Sequence, residues 1–172
     1  MKKKIKIFDP VISQNEENAI KKVLNSHQWA VGNGTGLVSK FEEKFNDYVG
    51  SNSCVAVDSG TSAINLALSL IDVKDKEVIL PSLCYVSVAH AIVLNGGTPV
   101  FADVDPATLC ITHTEIEKKY LKKTKAVIPV HFAGFPCDLN KITNFCNNND
   151  LDIIEDACLA LGSTYKGKHI GT

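Results

Sequence analysis

The sequence predicts an α/β domain in three layers, a mostly parallel sheet covered by helices on both faces. Three observations predict it. From Ser51 onward, short apolar runs alternate with segments of helical period, and parallel strands need helical crossovers that end up covering the sheet. Several of the helical segments begin at capping residues such as Ser13, Thr112 and Asp138. Small polar residues and carboxylates gather where apolar runs end, the edge at which open α/β sheets bind ligands.

Residues 1–50 read as an N-terminal helical segment and residues 51–172 as the α/β core. Ser13 and Glu16 have capping-box spacing, with Ile12 placed to staple a helix running to about Ser26. His27 to Gly36 is glycine-rich and reads as a loop. A second helix carries Val38, Phe41, Phe45 and Tyr48 on one face, and Gly50 ends it. Strands are expected at Ser53–Val57, Glu77–Leu80, Thr98–Val104, Lys125–Val130 and Leu151–Glu155. Between them, helices are expected at Thr61–Leu70, Val86–Leu94, Thr112–Leu121 and from Asp138 to about Asn147. Ser163–Ile170 reads as a small hairpin turning at Lys166-Gly167.

With 172 residues, 45% of them hydrophobic and 22% charged, the chain is long enough for one domain with a real core. Its net charge of −1 gives no electrostatic footprint for nucleic acid or membrane. The basic start, Lys2 to Lys6, reads as a solvated terminus; no signal peptide or bilayer-spanning run follows it. The six cysteines lack Cys-x-x-Cys spacing and sit mostly in apolar runs, as free thiols of a reducing cytoplasm do. The five histidines show no metal spacing. Asn33-Gly34-Thr35 matches a glycosylation acceptor, which has no use without a secretory signal.

Three strand-end loops carry residues suited to chemistry. In Asp58-Ser59-Gly60-Thr61-Ser62, Gly60 permits close backbone approach, and the helix start offers free N–H groups for a phosphate. The same residues also make an ordinary N-cap. In Pro81-Ser82-Leu83-Cys84-Tyr85, the tyrosine falls at a helix start, where it stacks on a planar ring or packs as a core aromatic. In Glu155-Asp156-Ala157, a strand-end carboxylate suits a protonated ring nitrogen, a Mg²⁺ ion or a simple cap. The Mg²⁺ reading needs a P-loop that the chain lacks. A phosphate cradle, a ring stacker and a ring-nitrogen carboxylate together describe a pyridoxal phosphate site. His131, after the Val127–Val130 run, lies either at the cofactor edge or as a packed structural histidine.

Longer motifs point the same way. They are Ser59-Gly60-Thr61-Ser62-Ala63, Glu77-Val78-Ile79-Leu80-Pro81-Ser82 and Gly97-Thr98-Pro99-Val100-Phe101-Ala102-Asp103-Val104-Asp105. Lys125-Ala126-Val127-Ile128-Pro129-Val130-His131-Phe132-Ala133-Gly134, Ile154-Glu155-Asp156-Ala157 and Tyr165-Lys166-Gly167-Lys168-His169-Ile170-Gly171 complete them. With these motifs the chain resembles the DegT/DnrJ/EryC1/StrS group, the sugar-nucleotide aminotransferases among the fold-type I pyridoxal phosphate enzymes. The resemblance implies that Gly60, Thr61 and Ser62 contact the cofactor phosphate. It further implies that Tyr85 stacks on the ring and that Asp156 pairs with the pyridine nitrogen. A nucleotide-sugar substrate, a glutamate donor and a homodimer follow as expectations. Trp29 to Gly36 resembles the family's loop at the substrate mouth, so Gly32-Asn33-Gly34 is not read as a dinucleotide fingerprint.

The chain departs from the family pattern in three places. Leu159 stands where a Gln or His usually contacts the cofactor hydroxyl, and Leu83-Cys84 replaces an aromatic-Thr pair. The family's Schiff-base lysine and its small C-terminal domain are expected beyond Thr172. The 172 residues are thus expected to be the N-terminal part of the large domain, without a catalytic residue and inactive alone. Lys166 and Lys168 belong to the hairpin and are not substitutes. Two other readings stay open: a non-catalytic remnant or interaction module, and a nicotinamide-binding Rossmann domain. The absence of a glycine fingerprint after the first strand counts against the last.

Overall fold

A computed structural model of the protein describes residues 9–29 and 36–172. The basic start, the glycosylation triplet and Gly32-Asn33-Gly34 lie outside the described residues.

Helix α1 spans Gln14–Ser26 and α2 spans Gly36–Val49. The expected capping box forms: Ser13 Oγ accepts the Asn15 N–H at 3.2 Å, and Glu16 accepts the Ser13 N–H at 2.6 Å. The expected staple does not form. Ile12 is exposed, and the helix position it would meet is Glu17, which offers no apolar surface. Helix α1 buries no residue. Gly50 closes α2 at φ +77°, its N–H donating to the Asn46 carbonyl at 2.8 Å.

The strand expected at Ser53–Val57 is absent. Its apolar run is present, but no strand among the described residues lies beside it to complete a ladder. The Ala56 N–H donates instead to the Glu42 carboxylate at 2.8 Å, and Val55 is exposed.

Four strands build the central sheet: β1 (Glu77–Pro81), β2 (Thr98–Ala102), β3 (Thr124–Val127) and β4 (Asp152–Ile153). All pairings are parallel, in the order β2-β1-β3-β4. Side chains alternate between the faces, as the pleat requires. Val78 and Leu80 pack with Ile64 and Leu68 of α3 (Gly60–Ser69) and Val88 and Ile92 of α4 (Ser87–Leu94). Ile79 and Val127 pack the other way, on Ile116 of α5 (His113–Lys119) and Ile142 and Cys146 of α6 (Leu139–Asn148). The three-layer αβα arrangement follows from that alternation.

Several boundaries shift. Helix α5 ends at Lys119, because Tyr120 takes extended backbone instead of continuing the turn. Thr112 caps it, but Glu115 pairs with Lys118 and leaves the box half made. The last two parallel strands are shorter than expected, since their pairing beyond Val127 and Ile153 narrows to a single bridge, Val130 to Asp156. Asp138 precedes α6 but does not cap it. Its carboxylate accepts the Tyr165 hydroxyl at 2.7 Å and pairs with Lys141 at 3.1 Å. That link anchors the hairpin of β5 (Thr164–Tyr165) and β6 (Lys168–His169). The hairpin turns at Lys166 and Gly167, both at positive φ, as a tight turn matched to strand twist demands.

Candidate cofactor site

At the carboxyl ends of the strands lies a cavity of about 470 Å³, within the usual range for small-molecule sites. Gly60, Thr61, Tyr85 and Asp156 all line it, brought together from three separate loops. Ser62 does not.

The first loop supplies the start of α3. Ser59 caps the helix, its Oγ accepting the Ser62 N–H at 3.2 Å. The N–H groups of Gly60 and Thr61 have no partner among the described residues, so they remain available to an anion together with the positive helix end. A Cβ at Gly60 would lie 2.6 Å from Cys158 Sγ, so a larger residue there would have to displace the cysteine. Ser62 turns away from the cavity. Its hydroxyl accepts the Ser59 hydroxyl at 3.0 Å, and its nearness to the Asp58 carboxylate lowers that group's pKa from its ordinary value.

Tyr85 is 74% exposed at the cavity rim, so its ring is not a core aromatic. Cys84 beside it is half-buried; burial pushes its thiol pKa up, and the Asp156 charge adds to the shift. Asp156 is 8% exposed. Its Oδ1 accepts the Cys158 N–H at 3.1 Å, and no Lys, Arg or His pairs with it among the described residues. A buried carboxylate without a cation is costly unless a positive group completes it. Leu159, also at the rim, offers no hydrogen bond.

His131 is the packed histidine of the two alternatives. It is fully buried and does not line the cavity. Cys158 is a lining residue that the motifs did not single out; its place two residues past Asp156 was the available signal. Among the described residues no lysine lines the cavity, and no group of His, Cys, Asp and Glu could hold a metal ion. Lys166 Nζ lies 5.4 Å over the Tyr165 ring, on the hairpin.

Comparison with known proteins decides the family. The model of the DegT/DnrJ/EryC1/StrS aminotransferase family matches residues 10–172. The chain belongs to that family. It is 40% identical over 166 residues to an uncharacterized protein of Methanocaldococcus jannaschii, covering 96% of this chain and 42% of that one. It is 36% identical over 171 residues to GDP-perosamine synthase of Escherichia coli O157:H7, covering 99% of this chain and 46% of that protein. An aminotransferase from Psychrobacter cryohalolentis has the same fold, with a TM-score of 0.89 and 37% identity over 94% of this chain and 41% of its own. The family chain described here thus spans less than half the length of the curated relatives it matches.

The fold is that of the fold-type I large domain in part. Pyridoxal phosphate is the family's cofactor, and solved relatives hold it or its amine form. The residues present fit it. A buried carboxylate lacking a cation, a rim aromatic and a helix start with free N–H groups could hold its pyridine nitrogen, ring face and phosphate respectively.

Proposed function

We propose that this family member takes part in amino-sugar biosynthesis as a pyridoxal phosphate-dependent aminotransferase. The acceptor is a keto-sugar nucleotide, the donor glutamate, and the working form a homodimer. A relative named for a GDP-linked amino sugar supports the substrate class. The observation that carries the reading is the meeting of Tyr85, Asp156 and the start of α3 around one cavity.

When bound, pyridoxal phosphate supplies an electron sink through its protonated pyridine ring. The chain's own residues would hold it in that state. Asp156 would accept the ring N–H and keep its proton in place, while the Cys158 N–H orients the carboxylate. Tyr85, at the cavity rim, would cover one ring face and exclude water from it. The Gly60 and Thr61 N–H groups, unpartnered among the described residues, would donate to the phosphate. Ser62 would join them only if its hydroxyl turned from Ser59 toward the cavity. Leu159 gives the ring an apolar neighbour. No lysine lines the cavity among the described residues, so these 172 residues would hold the cofactor weakly, without a covalent bond, and are expected not to turn over.

Titration of the chain with pyridoxal phosphate, followed by absorbance, tests this reading. Asp156→Asn should weaken binding by roughly tenfold or more, the loss of a charge-assisted hydrogen bond. Tyr85→Ala should weaken it by about 2- to 10-fold, the worth of an aromatic stack. Unchanged affinity in Asp156→Asn sinks the assignment. Borohydride reduction followed by peptide mapping should leave Lys166 and Lys168 unlabelled; specific labelling of either would contradict their place on the hairpin. The free cysteines support a cytoplasmic site of action.

A further inference from the structure

We propose that His131 and Glu155 form a positioning pair that aims Asp156 at the cofactor ring. The inference rests on the cofactor reading above. His131 is fully buried yet does not touch the cavity, so packing or positioning must explain it. Both of its ring nitrogens are committed. Nδ1 accepts the Cys137 N–H at 3.1 Å, which places the ring proton on Nε2. Nε2 lies 3.0 Å from Glu155 Oε2 and donates to it. The same Oε2 accepts the Gly171 N–H at 3.0 Å.

The backbone ties the same two segments together. The His131 N–H donates to the Asp156 carbonyl at 3.0 Å, and the Asp156 N–H donates to the Pro129 carbonyl at 2.9 Å. Successive side chains at a strand end point to opposite faces. Glu155 is therefore held on the face away from the cavity while Asp156 lines it. Fixing the first carboxylate fixes the rotation of the second. Asp156 needs that support, because among the described residues its carboxylate is otherwise held only by Cys158, whose N–H donates to Oδ1 at 3.1 Å. Partners of this kind, one step removed from the ligand, commonly set affinity by holding the contacting group still.

The test is pyridoxal phosphate titration of the 172-residue chain and its variants, reading affinity and the circular dichroism induced in the cofactor band. The induced signal reports ring orientation, which a purely structural role would not move. Glu155→Ala and His131→Asn, which break the link, should weaken binding roughly tenfold and diminish the induced signal. Glu155→Gln keeps an acceptor and His131→Gln keeps a donor at the Nε2 position, so both should stay within about threefold of the parent. Far-ultraviolet circular dichroism checks folding, and if one disruptive variant fails to fold the other decides. A folded Glu155→Ala chain that binds like the parent overturns the inference, as does an equal loss in all four variants. Asp156→Ala separates the two levels. If it binds like the parent, or the parent does not bind, the cofactor reading falls and this inference with it. If it weakens binding while Glu155→Ala does not, only the positioning pair falls.

Discussion

Gly60 and Cys158 meet at the wall of the cavity, and each limits the other. A Cβ at position 60 would overlap Cys158 Sγ at 2.6 Å. Gly60→Ala should destabilise the chain by about 1–3 kcal/mol through overpacking, read by urea unfolding. Cys158→Ala removes the obstructing sulfur, so the double variant should recover most of that loss. Additive losses would show that the contact does not set the cost. The thiol itself is pushed up to about 11, by burial first and then by the hydrogen bond and charge of Asp156. A raised acid stays protonated at neutral pH. Iodoacetamide should therefore modify Cys158 slowly at neutral pH, with a rate that keeps rising until about pH 11. A plateau near the ordinary thiol value, about pH 8.5, would contradict that environment.

Two capped helices differ in what they support. Ser13 caps α1, which buries nothing, whereas Ser59 caps α3, whose Ile64 and Leu68 are part of the core. Removing an N-cap costs about 1 kcal/mol of helix stability in either case. Ser59→Ala should lower the global unfolding free energy by about that amount. Ser13→Ala should leave the urea midpoint unchanged and instead speed hydrogen exchange at the Asn15 to Glu17 amides, because a helix without buried residues opens locally. A global loss in Ser13→Ala would mean that α1 is coupled to the core. The capping box itself was readable from two residues three apart, since both partners lie within one turn. Asp138 has equally good cap chemistry, yet Tyr165 takes its carboxylate from across the fold. Local spacing does not reveal such a competitor.

At the scale of the molecule, buried thiols make stability fall on the alkaline side. Burial pushes Cys146 up to about 11 and raises Cys137 as well. The folded thiols hold their protons longer than the unfolded ones. Their contribution is thus complete below the ordinary thiol value of about 8.5 and is lost as pH climbs toward about 11. The urea midpoint should drop over that interval, and Cys146→Ala should drop less steeply. An equal slope in the variant would remove Cys146 from the explanation.

The sequence by itself determined the αβα class, the helix starts, the hairpin turn at Lys166-Gly167 and the loops carrying Gly60, Tyr85 and Asp156. These depend on periodicity and on residues within one turn of each other, where the chain specifies its own geometry. Only the tertiary structure decided that residues 53–57 have no ladder beside them and that Cys158 sits under Gly60. It alone joined His131 to Glu155 and left Asp156 buried without a cation. The physical reason is common to all of them. A polar group or a strand edge takes whichever partner packing delivers, and packing joins segments whose separation along the chain carries no local signal.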